Sequence, residues 1–115
     1  MRVIVCGGRE YCDREAITRA LRGVFSGSPT FGTLVHGACR GADLTAAEIA
    51  AGAGIAVEPH HPPLAAYGAP RAFHMRNQQM VDAGADLLVA FPGGNGTADC
   101  VRRAEKAGIP VRREP

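Results

Sequence analysis

Two kinds of apolar pattern alternate along the chain. Short continuous apolar runs are typical of strands buried on both faces of a sheet, and apolar residues recurring on one side are typical of helices. The first helix shows this well, because Asp13 can cap it and Ile17, Leu21 and Phe25 share a face. The predicted strands are 2–6, 33–36, 55–59 and 86–91, with a short edge strand at most in 108–115. The predicted helices run from Asp13 to about Phe25, and over about 42–52, 70–83 and 96–107.

This alternation predicts an α/β fold. Strands that alternate with helices and are themselves continuous apolar runs argue for a parallel sheet covered on both faces. Right-handed crossovers then predict a Rossmann-like, doubly wound sheet of about five strands in the order 3-2-1-4-5. We expect 26–32 to be a loop, and 60–70, with three prolines and a glycine, to contain no regular structure. Without a linker or a repeat, the 115 residues predict a single domain, 1–115.

Composition narrows the classes of function. Hydrophobic residues make up 46% of the chain, which is enough for a core, while aromatic residues are only 5% and the net charge is +2. That charge is too small to indicate nucleic-acid binding by bulk electrostatics. No apolar segment approaches a membrane span or a signal peptide, so we expect a cytoplasmic protein without a membrane partner. The four cysteines have no metal-ligand spacing, and we expect free thiols, no metal site and no cofactor.

Three glycine-containing loops follow predicted strands. They read 7-GGRE-10, 37-GACRGAD-43 and 92-PGGNGT-97. In a doubly wound sheet, such loops meet at the carboxyl edge, here at the switch point between the first and fourth strands. Glycine allows close approach of a ligand, and helix N-termini offer unpaired amides that favour anions. Tight turns also use glycine, but three converging loops favour a nucleotide phosphate.

The loops do not match the standard phosphate motifs. The first loop reads 6-CGGREYCD-13, which is not G-x-G-x-x-G, and no G-K-[ST] of a P-loop occurs. Arg9 and Arg40 can pair with phosphate, or equally with Glu10 or Asp43. Asp43 is either a helix N-cap or a ligand of a ribose hydroxyl. The predicted ligand-binding residues are Gly7, Gly8, Arg9, Gly37, Arg40, Asp43, Arg76, Asn77, Pro92, Gly93, Gly94, Asn95, Gly96 and Thr97.

Other reactive side chains give weaker signals. Cys39 and Cys100 are expected near the loops, but without a base partner we interpret them as core residues. His60 and His61 precede two prolines, and we expect them in a surface loop over the pocket, where Tyr67 can stack on a base. His36 and His74 have no clear partner in the sequence.

Four segments, taken together, resemble a known family. They are 3-VIVCGGREY-11, 35-VHGACRGAD-43, 76-RNQQMV-81 and 91-FPGGNGT-97, and in this order they resemble the SLOG superfamily, specifically its small YspA-like (YpsA-related) branch. The resemblance implies a Rossmann-like fold and binding of nucleotides or nucleotide-derived, ADP-ribose-like ligands. Because relatives commonly dimerise through helices beside the pocket, it also implies a homodimer.

The chain is more distantly similar to the LONELY GUY phosphoribohydrolases. These enzymes cleave the N-glycosidic bond of nucleoside monophosphates and carry a motif like P-G-G-x-G-T-x-x-E with an upstream arginine. That arginine falls on Arg76, but the glutamate falls on Cys100, with Asp99 one residue earlier. Because glycosidic cleavage needs a carboxylate, Arg76 and Asp99 are the candidate catalytic residues.

Three hypotheses follow from the sequence. The first is a nucleotide-binding protein, and the second is a hydrolase of nucleoside monophosphates, for which the departure at Cys100 predicts little activity. The third is a DNA-processing accessory protein, since another SLOG relative binds single-stranded DNA. The low charge and the scarcity of aromatic residues argue against nucleic acid as a partner.

Overall fold

The computed structural model describes residues 1–26 and 32–115, so most of the loop predicted at 26–32 lies outside the described residues. The strands are β1 (Arg2–Cys6), β2 (Thr33–His36), β3 (Ala56–Pro59), β4 (Leu87–Ala90) and β5 (Val111–Arg113). The helices are α1 (Arg14–Phe25), α2 (Ala42–Gly52), α3 (Leu64–Tyr67), α4 (Arg71–Asp82) and α5 (Asn95–Lys106). These bounds differ from the predicted ones by about a residue at most ends, as is usual for element boundaries.

The strands form one parallel sheet in the order β3-β2-β1-β4-β5, which confirms the predicted topology. In the centre, Ile4 of β1 is in register with Val35 of β2 and Leu88 of β4. All three side chains are fully buried. Continuous apolar strands are therefore covered on both faces, which is the reason that their sequences do not alternate.

Two apolar layers enclose the sheet. On one face, Val3 and Val5 pack against α1 and α2, where the small side chains of Ala46 and Ala50 are fully buried. On the other face, Ile4 and Cys6 pack against α4 and α5, through Met80, Val81, Cys100, Val101 and Ala104. Because the strands are parallel, the helices that follow β1, β2 and β4 all begin at the carboxyl edge of the sheet.

Local signals set most helix ends. Asp13 caps α1 as predicted, because its carboxylate accepts a hydrogen bond from the Ala16 amide at 3.1 Å. The expectation that 60–70 contains no regular structure is wrong, since Leu64–Tyr67 forms the single-turn helix α3. Pro63 is tolerated at its start because that position needs no amide donor, and the Gly68 amide closes the turn on the Leu64 carbonyl at 2.8 Å.

Among the described residues, no helix has the length and apolar character to cross a membrane.

Candidate functional site

The three glycine-containing loops meet at the carboxyl edge. The Gly8 amide, after β1, donates to the Pro92 carbonyl, after β4, at 2.8 Å. The Gly8 carbonyl accepts from the Ala42 amide at the start of α2 at 3.2 Å. One backbone position thus joins all three loops between β1 and β4, where the strand order predicts the switch point.

Several glycines are required by this packing alone. A β-carbon on Gly7 would lie 2.5 Å from the Ala42 β-carbon, and one on Gly93 would lie 2.7 Å from the Gly8 amide nitrogen. Gly41 has a φ of +84°, and a side chain there would meet the Arg9 carbonyl oxygen at 2.5 Å. The close contact of the loops therefore accounts for these glycines, and a ligand contact at Gly7, Gly8 or Gly93 stays a prediction.

Gly94 and Gly96 are different. Apart from the chain neighbours and the helix's own backbone, no atom of the described residues lies within 4 Å of a β-carbon placed on either glycine, and neither has a positive φ. Gly94 is the N-cap of α5 and offers no capping side chain, so the first bond is from the Ala98 amide to the Gly94 carbonyl at 3.1 Å. The amides of Asn95, Gly96 and Thr97 have no intrahelical acceptor, and they carry the partial positive charge of the helix terminus.

The other two helices that follow the glycine-containing loops have partners for some of their first-turn amides. Asp13 caps α1. In α2, the Ala42 amide donates to the Gly8 carbonyl and the Leu44 amide donates to the Cys39 carbonyl, each at 3.2 Å. Of the three helices that follow the glycine-containing loops, α5 is therefore the one whose first three amides have no hydrogen-bond partner among the described residues.

The loop after β2 is held by side chains. Asp43 Oδ2 accepts from the Gly37 amide at 2.9 Å, and the carboxylate also takes a hydrogen bond from the Cys39 backbone. His36 Nδ1 accepts from the Ala38 amide at 3.0 Å. Because these amides are used internally, the 37–39 segment acts as a rigid support and does not present its amides to a ligand.

Two buried titratable groups provide that support. Burial raises the pKa of Asp43 to about 6, although the Gly37 amide and the nearby Arg76 favour the carboxylate. Burial, together with the neighbouring His61 and His60, lowers the pKa of His36. The N-cap of α2 is Gly41, so the interpretation of Asp43 as the N-cap is wrong, whereas its contact with a ribose hydroxyl stays a prediction.

Arg76 lies against this support. Its side chain is 7% exposed, its Nη1 donates to the Gly37 carbonyl, and its Nε donates to Asn77 Oδ1 at 2.9 Å. A β-carbon on Gly37 would lie 2.6 Å from the guanidinium carbon, so only glycine leaves room for Arg76 here. Among residues 1–26 and 32–115, the guanidinium has no acidic partner at ion-pair distance.

The two exposed loop arginines have different partners. Arg40 pairs with Glu10, which is one of the two alternatives expected from the sequence. The Arg9 guanidinium lies 4.7 Å from the centre of the Phe73 ring, and Arg76 lies 5.6 Å from the same ring. Arg9 pairs with no acidic side chain in the described part of the chain, and together with Arg76 it places two guanidinium groups against the Phe73 ring.

Asp99 and Cys100 are both buried on α5. Asp99 accepts hydrogen bonds from Arg102 Nη2 and Arg103 Nε, each at 2.8 Å, and from Asn77 Nδ2 at 3.0 Å. Burial alone would raise the pKa of Asp99, but the hydrogen bonds from Arg103 and Asn77 outweigh it and lower that pKa. Cys100 is 1% exposed and lies in the core, as expected for a core residue.

The thiols lie in different environments. A hydrogen bond with Cys100 and then burial raise the pKa of the Cys6 thiol. Cys39 is half-buried and accepts a hydrogen bond from Arg76 Nη1 at 3.6 Å, so it is less of a core residue than the sequence indicates. All four cysteines are free thiols. Within the described ranges, no three His, Cys, Asp or Glu side chains group as a metal site would need.

Sequence reasoning missed an ion-pair cluster that reaches from β1 and β3 to α4. Glu58 accepts two hydrogen bonds from Arg2 at 2.8 Å and one from His60 Nε2 at 2.7 Å. Mainly because of Arg2, and also because of His60, the pKa of Glu58 is lowered to about 2. His60 Nδ1 lies 3.1 Å from Gln79 Oε1 on α4. Glu58 lies within a predicted strand, and no pattern in the sequence indicates a partner as remote as Arg2.

Through Gln79, which contacts His60, this cluster adjoins a hollow of about 460 Å³ beside α4. The hollow is lined by His61, Pro63, Met75, Arg76, Gln78, Gln79 and Asp82. His61 therefore lies next to the candidate site. Tyr67 is 47% exposed and its ring lies 4.9 Å from the Arg71 guanidinium. Stacking of Tyr67 on a base stays a prediction.

Comparison with solved structures places the fold among Rossmann-like α/β proteins. The X-ray structure of TM1055, a structural genomics target, matches with a TM-score of 0.72 and 22% identity, covering 96% of this chain and 71% of that one. The model of the YspA, cpYpsA-related SLOG family matches residues 1–67, more than half of the chain. The Gene 61 protein of Mycobacterium phage D29 is 41% identical over 117 residues, covering 96% of this chain and 93% of that protein. The chain therefore belongs to the YspA, cpYpsA-related SLOG family.

Proposed function

We propose that the protein binds a phosphate-bearing nucleotide or nucleotide-derived, ADP-ribose-like ligand at the carboxyl edge of the sheet. The phosphate would lie on the first-turn amides of α5. The observation that carries the proposal is the open space at Gly94 and Gly96, at a helix N-terminus that has no capping side chain. A terminus of this kind is a ready-made anion site, and membership of the SLOG family favours a nucleotide-related anion.

Two guanidinium groups support an anionic ligand. Within residues 1–26 and 32–115, the buried Arg76 has no acidic partner at ion-pair distance, and Arg9 lies over Phe73 in the exposed loop after β1. A buried cation is costly unless it is paired, so an arriving phosphate would compensate the charge of Arg76. Backbone amides together with arginine forks form the charge-assisted hydrogen bonds by which proteins commonly hold phosphate.

Isothermal titration with AMP, ADP-ribose and adenosine tests the phosphate requirement. We expect AMP and ADP-ribose to bind at least about tenfold more tightly than adenosine, because a charge-assisted hydrogen bond contributes roughly 1.5–3 kcal/mol. Equal affinities for AMP and adenosine would contradict the proposal.

A pair of matched variants tests the location. Gly94→Val places a side chain over the first turn of α5, and Gly52→Val places one at the far end of α2, at the opposite edge of the sheet. Both glycines face open space, so both variants should fold. We expect binding of AMP to be abolished in Gly94→Val and unchanged in Gly52→Val. Retained binding in Gly94→Val would mean that the loop is only a turn.

The alternative function is cleavage of the N-glycosidic bond with Arg76 and Asp99. Both carboxylate oxygens of Asp99 already accept hydrogen bonds, from Arg102, Arg103 and Asn77. We therefore favour binding without hydrolysis. Chromatographic detection of free base released from AMP tests this, and robust turnover that is lost in Asp99→Asn would reverse the preference.

A further inference from the structure

We infer that Asn77 and Asp99 are positioning residues, which hold the guanidinium of Arg76 in a fixed place relative to the first turn of α5. The inference rests on the proposed function, and it assigns to Asp99 a role other than contact with the ligand. It concerns how the two halves of the anion site, one on α4 and one on α5, are kept together.

A chain of hydrogen bonds joins the two helices. Asp99 Oδ2 accepts from Asn77 Nδ2 at 3.0 Å, and Asn77 Oδ1 accepts from Arg76 Nε at 2.9 Å. Asn77 Nδ2 also donates to the carbonyl of Gly96, in the first turn of α5, at 3.3 Å. Asn77 and Asp99 are 2% and 3% exposed, so water does not compete for these bonds. Asn77 therefore connects Arg76 directly to the proposed phosphate position.

The charge of Asp99 fixes the orientation of the Asn77 amide. An ionised carboxylate can only accept, so Nδ2 of Asn77 must point towards Asp99, and Oδ1 must point towards Arg76. Asp99 is ionised because the hydrogen bonds from Arg103 and Asn77 outweigh burial and lower its pKa. An amide in place of Asp99 could also donate, so Asn77 would lose its charged acceptor and would be held only by the Arg76 Nε–H and by the weaker bond to the Gly96 carbonyl.

Within residues 1–26 and 32–115, these bonds leave one nitrogen of Arg76, Nη2, without a hydrogen-bond partner. Its Nε is bonded to Asn77 and its Nη1 is bonded to the Gly37 carbonyl and to Cys39, whereas none of these bonds uses Nη2. A guanidinium fixed at two nitrogens loses little side-chain entropy when a ligand binds the third, and preorganisation of this kind contributes to affinity. Asn77 and Asp99 thus act on the ligand through Arg76.

Titration of Asp99→Asn with AMP and adenosine tests the inference, with Arg102→Gln as the matched control. The control removes one partner of Asp99 but leaves its charge and its bond with Asn77. We expect Asp99→Asn to lower the affinity for AMP about tenfold while adenosine binding changes little, whereas Arg102→Gln retains both affinities. A merely structural role would lower stability in urea and leave the ratio of the AMP and adenosine affinities unchanged. That outcome would overturn the inference, as would an equal loss in the control.

A second measurement does not depend on a ligand. In ¹H–¹⁵N spectra, the Nε–H of Arg76 should exchange slowly with water because it is buried and bonded to Asn77. Asp99→Asn should remove that protection, and Asn77→Ala should do the same if Asp99→Asn does not fold. Unchanged protection in a folded variant would refute the positioning role. If the natural protein does not bind AMP, the proposed function is wrong, but the effect of Asp99→Asn on exchange of the Arg76 Nε–H still tests the positioning role.

Discussion

The carboxyl group of Asp43 should make the protein less stable as the pH rises from about 4 to about 6. Asp43 is 6% exposed, and burial raises its pKa from the ordinary 3.8 to about 6. The folded protein therefore holds this proton more tightly than the unfolded chain does. Stability from this group is fully present below pH 3.8, is lost as the pH rises through the folded pKa, and is constant above it.

The size of the effect follows from the difference in pKa. A gap of about two pKa units, at roughly 1.4 kcal/mol for each unit, corresponds to about 3 kcal/mol in the free energy of unfolding. The group is buried, so solvent screening does not reduce this value much. Because small domains are stable by only about 5–15 kcal/mol, the change is large enough to measure.

Urea unfolding of the natural protein and of Asp43→Asn, followed by circular dichroism from pH 4 to pH 7, tests the prediction. The variant keeps an oxygen that can accept from the Gly37 amide but has no proton to lose. Other groups, such as Glu58 with its pKa of about 2, titrate in both proteins and cancel in the difference. We expect the natural protein to lose about 3 kcal/mol relative to the variant between pH 4 and pH 7. Parallel pH profiles, or a difference of opposite sign, would refute the reasoning.

Three other predictions concern packing, assembly and chemistry. Gly93→Ala should lower the free energy of unfolding in urea by about 1–3 kcal/mol, because its β-carbon would meet the Gly8 amide, whereas Gly94→Ala should not; equal effects would contradict the distinction. The exposed side of α4 carries Arg71 at one end and Asp82 at the other, so an antiparallel pair of these helices would match opposite charges in a homodimer. We propose such a dimer: light scattering should detect it for the natural protein, weakened by Arg71→Asp and restored by adding Asp82→Arg, and a monomeric natural protein or a dimer indifferent to both variants would contradict this. Cys100→Glu should lower the melting temperature and give no release of base from AMP.

The fold could be predicted because its signals are local. Each central strand is buried on both faces, so β1 and β4 are visible as continuous apolar runs, and the handedness of the crossovers then leaves few topologies. The helix α3 was missed because Pro62, Pro63 and Gly68 are breakers, and the single turn fits between them. Breaker residues exclude long helices, but they do not exclude one closed turn.

The candidate site could be predicted only as a region. The sequence brings the three glycine-containing loops to one edge, but it cannot distinguish Gly93, where a β-carbon would meet the Gly8 amide, from Gly94, where a β-carbon would point into open space. That distinction depends on backbone that is distant in sequence. The same holds for Asp43, whose carboxylate holds the Gly37 amide because Gly41, with its positive φ, turns the loop back. The local pattern allows Asp43 as a helix N-cap, but in the structure Gly41 is the N-cap and Asp43 binds the Gly37 amide.

Restoring the motif's glutamate at position 100 should not restore hydrolysis in this chain. The glutamate of the phosphoribohydrolase motif aligns with Cys100, which is 1% exposed in the core and hydrogen-bonded to Cys6. A glutamate there would be desolvated, and the neighbouring Arg102 and Arg103 already bind Asp99. Burial without a partner raises the pKa of a carboxylic acid and costs roughly 1–3 kcal/mol or more. The introduced group would therefore be neutral in the core, or it would separate α5 from β1, and in neither case would it supply a carboxylate to a bound nucleotide. A Cys100→Glu variant that melts like the natural protein and releases base from AMP would show instead that this face of α5 is open to the ligand.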